Sequence, residues 1–192
     1  MPTGEVRTAA IVDAILHADK TLFVPKIQTK DGTMDFLRIH SPADLASLPA
    51  GTWGIKEPEE SWEGQIRSRV LGSPSEPLDV ILLPGVAFDR TLSRLGHGKG
   101  YYDRFITAYT NTAASSSSSS TSASSAHPKP LLVGLGLREQ ILPSGQVPVG
   151  EHDWKMDVLI TPDETITFDR SAAAQTQAVL DSNSPSPSPS DQ

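Results

Sequence analysis

Cysteine is absent from this chain, which excludes a disulfide framework, a thiolate metal centre and a cysteine nucleophile in one step. Long apolar runs are missing too. No stretch approaches the roughly 18 residues that a membrane span needs, and Met1-Pro2-Thr3-Gly4-Glu5 has neither the basic nor the apolar part of a secretory leader. A soluble, cytoplasmic chain without a membrane partner is the expectation. Positive charge is scarce, with 16 Lys and Arg against 23 Asp and Glu for a net charge of −7. A general nucleic-acid binder carries a basic footprint, so that class is excluded as well. The five histidines, His17, His40, His97, His127 and His152, share no ligand spacing, which argues against a transition-metal site.

Two segments lack the composition of a folded domain. Residues 111–130 contain the Ser/Ala/Thr tract Ala113 to Ala126, closed by His127-Pro128-Lys129-Pro130, and are expected to form a disordered surface insertion. Residues 171–192 drift into Ser-Pro repeats and read as a disordered tail. What remains, within residues 1–170, has enough of the 37% apolar content for one core.

The elements alternate. Thr8 precedes Ile11, Val12, Ile15 and Leu16 at helical spacing. Thr21 to Val24 predicts a short strand stopped by Pro25, and Met34 to Ile39 has the period of a half-buried strand. Ser41-Pro42 opens a second helix. Asp79 to Leu83, Leu131 to Leu135 and Asp157 to Ile160 read as strands buried on both faces, with a helix over Tyr101–Tyr109 between the first two. The expected fold class is α/β, a layered, mostly parallel sheet with flanking helices and its ligand near the C-terminal strand ends.

The densest chemistry lies in Arg94-Leu95-Gly96-His97-Gly98-Lys99-Gly100-Tyr101-Tyr102-Asp103. Alternating glycines let backbone N–H groups approach phosphate oxygens, and Arg94 and Lys99 add charge. The run is neither a Walker A loop, because Gly100 follows Lys99, nor a G-x-G-x-x-G dinucleotide loop. A plain strand-to-helix turn is the alternative. Upstream, Pro84-Gly85 reads as a strand-ending turn, and Asp89 either caps locally or holds the loop. Trp53, beside Gly54, either walls a ring-shaped ligand or simply packs. Asp153, after the turn at Pro148-Val149-Gly150-Glu151, is either an exposed acidic residue or a partner of Asp103 around a magnesium ion and nucleotide phosphates.

Together with Pro84-Gly85-Val86-Ala87-Phe88-Asp89, this loop closely resembles the signature of the 5-formyltetrahydrofolate cyclo-ligase (methenyltetrahydrofolate synthetase) family. Gly4 to Thr8, Trp53-Gly54-Ile55 with Glu57-Pro58, Gln140, and His152-Asp153 with Asp157 resemble further motifs in the right order. The resemblance implies an ATP- and Mg2+-dependent ligase that converts 5-formyltetrahydrofolate to 5,10-methenyltetrahydrofolate with release of ADP and phosphate. It implies that Arg94, Leu95, Gly96, His97, Gly98, Lys99, Gly100, Tyr101 and Tyr102 hold ATP, with Arg94, Lys99 and Tyr101 catalytic. Glu5, Trp53, His97, Gly98, Lys99, Gly100 and Tyr101 would contact the folate, and Asp103 and Asp153 would hold the magnesium ion. A monomer is expected. Family members begin with a basic helix and a strand before the turn that is Thr3-Gly4-Glu5 here. About fifty residues of the usual domain, the size of a supersecondary unit, are therefore expected to be missing. The alternative implied is an incomplete gene model or a catalytically impaired folate- or nucleotide-binding paralogue.

Overall fold

The computed structural model describes residues 6–29, 32–50, 55–72, 76–115 and 128–168. Helix α1 (Ala9–His17) follows Thr8, whose backbone rather than hydroxyl starts the helix: Val12 N–H donates to Thr8 C=O at 3.0 Å. Strands β1 (Leu22–Ile27) and β2 (Met34–Ile39) then pair antiparallel, Leu22 opposite Ile39 and Ile27 opposite Met34. Pro25 does not stop β1. It sits inside the strand opposite Phe36, because among the described residues β1 is an edge strand, where a missing N–H is tolerated.

Strand β2 departs from the half-buried pattern as well. Asp35 and Leu37 are buried along with Met34 and Phe36. Met34 and Phe36 face the main core, while the Asp35 carboxylate accepts the Leu71 N–H at 3.1 Å. Helix α2 (Pro42–Ser47) starts where Ser41 Oγ accepts the Asp44 N–H at 3.1 Å. Asp44 is fully buried against Arg67, in a two-armed pair of 2.5 and 2.6 Å, and also accepts the His40 N–H. The remaining Arg67 donors reach the carbonyls of Arg38 and Glu59, so one guanidinium joins β2, α2 and the loop ahead of the hairpin β3 (Ser61–Trp62) and β4 (Gln65–Ile66).

The central sheet contains β5 (Val80–Leu83), β8 (Leu131–Leu135), β10 (Val158–Ile160) and β11 (Thr165–Thr167), in the order β11-β10-β8-β5. Its first three strands in sequence run parallel and β11 is antiparallel. A second sheet orders β7 (Arg94–Leu95), β6 (Ala87–Asp89) and β9 (Ile141–Leu142), with β6 parallel to β9 and antiparallel to β7. The fold is therefore α/β, with a central sheet that is parallel except at β11 and a smaller mixed sheet beside it. Short turns such as Thr161 to Glu164 can only return a strand antiparallel.

Burial on both faces fails for β5: Ile81 and Leu83 enter the core, whereas Val80 is exposed. Among the described residues β5 is an edge strand, with a neighbour on one side only. Helix α3 (Tyr101–Ser115) lays Phe105, Ile106 and Tyr109 on the same core as Leu83, Phe88, Leu132 and Leu159. It runs past Tyr109 through residues 111–115, which composition had assigned to the insertion. Once nucleated, a helix adds each further residue at little cost, and Ala is the best helix former. Residues 128–130, also assigned to the insertion, are described, with Pro130 buried and Lys129 paired with Asp157; residues 116–127 and 171–192, the rest of the insertion and the tail, lie outside the described residues.

Candidate active site at the glycine loop

Strand β7 and helix α3 hold the two ends of Gly96-His97-Gly98-Lys99-Gly100. Gly98 and Gly100 have φ of +81° and +64°, a region that side chains rarely adopt, so both glycines are required by the path of the chain. His97, Gly98 and Lys99 are exposed at the crest. The N-terminus of a 15-residue helix follows directly, and such a terminus favours anions.

Arg94 closes the base of this loop. Its side chain is only 6% exposed, and Nη2 donates to Asp103 Oδ2 at 2.7 Å. The guanidinium also lies 5.7 Å from the centre of the Tyr102 ring, and its buried Nε has no hydrogen-bond partner among the described residues. Burial pushes the Tyr102 phenol up to about 12 against the opposing effect of Arg94, so it stays protonated at any working pH.

The second carboxylate oxygen of Asp103 accepts the Trp154 N–H at 3.1 Å, and the Trp154 indole donates to Thr107 Oγ1 one helical turn further on. This pair of bonds pins Trp154, the residue after Asp153, to the first turns of α3. Asp89 pins the other end of the same segment. Buried completely, it accepts N–H groups from Thr91, Ser93 and Val147 and the Thr91 hydroxyl. Burial alone would raise its pKa, but these donors outweigh burial and hold it below the ordinary value of 3.8. Asp89 is a local cap, through Thr91 and Ser93, for a turn that leads into Arg94 with Leu92 at a φ of 66°, and its second oxygen adds a long-range hold on Val147.

Gln140 supports the site from below. Its amide donates to Gly85 C=O at 2.7 Å and accepts the Leu137 N–H at 2.8 Å, which ties the segments that follow β5 and β8 to each other. Residues 94–103 are thus brought together with Asp153's segment. Asp153 itself is exposed, with one oxygen on the Gly150 N–H at 2.7 Å. Among the described residues no group of three or more His, Asp or Glu is arranged around a common metal position. Glu5 and Trp53 lie outside the described residues. Sequence reasoning missed Trp154 and Arg104, each of which makes one of its bonds through a main-chain atom, the Trp154 N–H and the Lys99 carbonyl, that no residue pattern announces.

A family model described as the 5-formyltetrahydrofolate cyclo-ligase family matches residues 1–162. This chain belongs to that family. The cyclo-ligase relatives include a mouse 5-formyltetrahydrofolate cyclo-ligase, 35% identical over 83% of this chain and 68% of that one. A 5-formyltetrahydrofolate cyclo-ligase of Arabidopsis thaliana, named as mitochondrial, is 38% identical over 83% of this chain and 55% of its own length. Among solved structures, that of Aquifex aeolicus 5,10-methenyltetrahydrofolate synthetase superposes with a TM-score of 0.57 at 31% identity, covering 85% of this chain and 66% of the other. The cyclo-ligases are enzymes, so the site described above sits in an enzyme fold. Among the described residues no helix is long and apolar enough to cross a membrane. Because one relative is named for the mitochondrion, cytoplasmic residence does not follow from membership.

Proposed function

We propose that this chain closes 5-formyltetrahydrofolate to 5,10-methenyltetrahydrofolate, consuming ATP and releasing ADP and phosphate, as a cytoplasmic monomer. The observation that carries the reading is the glycine loop, exposed at Lys99 and fixed at its base by Arg94 and Asp103 beside the N-terminus of α3. The triphosphate would run along residues 94–102, and the folate would border His97 to Tyr101. Glu5 and Trp53 belong to the same proposal as folate contacts.

In this reading the formyl oxygen bonds to the γ-phosphorus of ATP, and the bond from that phosphorus to the bridging oxygen breaks as ADP leaves. N10 then bonds to the formyl carbon, gives up its proton, and phosphate departs with the former formyl oxygen. The protein's part is positioning and charge neutralisation. Lys99 would meet the phosphates at the crest of the loop, Arg94 would add its charge from beneath while paired with Asp103, and Tyr101 would orient the reacting ends. Magnesium typically takes one or two carboxylates and leaves its other positions to phosphate oxygens and water. Asp103 and Asp153 are hard oxygen ligands, and the Trp154 N–H on Asp103 Oδ1 brings the main chain beside Asp153 up to the Asp103 carboxylate; the other Asp103 oxygen is held by Arg94, so the ion would share that carboxylate with its N–H donors. Bound there, the ion would neutralise phosphate charge.

The test is formation of methenyltetrahydrofolate, followed by its absorbance, with and without ATP and magnesium. Product that depends on both supports the proposal. A second reading, ATP or folate binding without turnover, draws on the Arg94–Asp103 pair, in which two site charges already neutralise each other. Binding in the absence of product would favour it.

A further inference from the structure

Arg104 follows Asp103 on the first turn of α3, and its side chain folds back across the loop. Nη2 donates to the Lys99 carbonyl at 2.7 Å, while its main-chain N–H donates to the Gly100 carbonyl at 3.0 Å. On the other side the guanidinium occupies the place where a Cβ on Gly32 would stand, and a Cβ on Gly100 would lie 3.5 Å from Nε. Gly32 is buried, with a φ of +111°, in the turn between β1 and β2. That hairpin is itself fixed to α3, because the rings of Phe36 and Phe105 meet edge to face with centroids 4.5 Å apart. One planar cation therefore spans from a braced hairpin turn to the crest of the loop.

We propose that Arg104 is a positioning residue that sets the glycine loop for the phosphate chain of ATP by locking the Lys99 carbonyl; this rests on the function proposed above. The peptide is planar and trans, so holding the Lys99 C=O toward Arg104 aims the Gly100 N–H the opposite way. Glycines on both sides of Lys99 leave that peptide little restraint of its own. A loop ordered before ATP arrives loses less freedom on binding. The planar fork matters as much as the charge, since it must meet Lys99 while lying flat against Gly32.

The experiment compares the full chain with Arg104→Ala, Arg104→Lys and Gly32→Ala. Backbone amide exchange across residues 94–100, without ligand, should quicken several-fold in Arg104→Ala. The KM for ATP should rise about tenfold, the lower end for one charge-assisted hydrogen bond, while kcat at saturating ATP and the melting temperature change little. Gly32→Ala should displace the guanidinium and reproduce the faster loop exchange without altering any loop residue. Arg104→Lys should resemble Arg104→Ala. Complete rescue by Arg104→Lys would reduce the role to bare charge and overturn the proposal, as would unchanged exchange and KM in Arg104→Ala. Absence of product from the unaltered chain would instead sink the catalytic reading, and the exchange experiment would still decide whether Arg104 orders the loop.

Discussion

Lys99 and Arg94 lie five residues apart with opposite surroundings. Lys99 is exposed at the crest of the loop, whereas Arg94 is buried beneath it against Asp103 and Tyr102. Replacing Lys99 by Ala should therefore weaken ATP binding by about 1.5–3 kcal/mol, the worth of a charged hydrogen bond, and leave the melting temperature in place. Calorimetric titration of ATP into both proteins checks this, and equal affinities would return the loop to a plain turn. Arg94→Ala should move both quantities. It removes the cation from a largely buried carboxylate and so should also lower stability, by about 1.5–3 kcal/mol, visible as an earlier urea midpoint. An Arg94→Ala protein as stable as the parent would show that Asp103 needs no countercharge.

At the scale of elements, the glycine loop and the start of α3 were legible because glycine, charge and aromatic residues coincide there at fixed spacing. The end of α3 was not, since Ala, Ser and Thr after Tyr109 carry no apolar period and are helical only by propagation. Pro25 misled for a different reason: its cost depends on whether its strand is an edge, a property of the sheet rather than of the residue. Gly134 shows how much pairing decides. The sequence marks it only as a break in an apolar run, yet a Cβ there would lie 2.5 Å from Leu159 Cδ2 and 2.8 Å from Phe88 Cε1. The glycine is what lets β8 pack between β10 and the Phe88 ring. Gly134→Ala should destabilise the fold by about 1–3 kcal/mol through overpacking, and denaturant unfolding would show it; a neutral result would mean that Phe88 has room to move.

Across the whole molecule, buried carboxylates reinforce junctions between parts of the chain that are far apart in sequence. Asp44 unites α2, β2 and the Arg67 segment, and Asp89 unites the turn before Arg94 with the segment that leads to Asp153. Burial by itself would raise both pKa values. It is outweighed at Asp44 by Arg67 and the His40 N–H, and at Asp89 by Thr91, Val147 and Ser93, so both lie below 3.8 in the fold. The unfolded chain then takes up protons at a pH where the folded chain still refuses them. The stability these groups contribute is complete well above 3.8 and drains away as the pH falls through that value toward their folded pKa values. The urea midpoint should accordingly owe nothing to these two groups' titration between about pH 7 and 5 and should drop steeply below about 4. Asp44→Asn combined with Asp89→Asn should lower the neutral midpoint, because Arg67 then stays buried beside a neutral amide, and should also flatten the acid limb. Should that variant not fold, Asp89→Asn alone gives the same reading at half amplitude. Parallel acid limbs in parent and variant would mean that other carboxylates govern acid unfolding, and that these two do not hold the site's supports together through their charge.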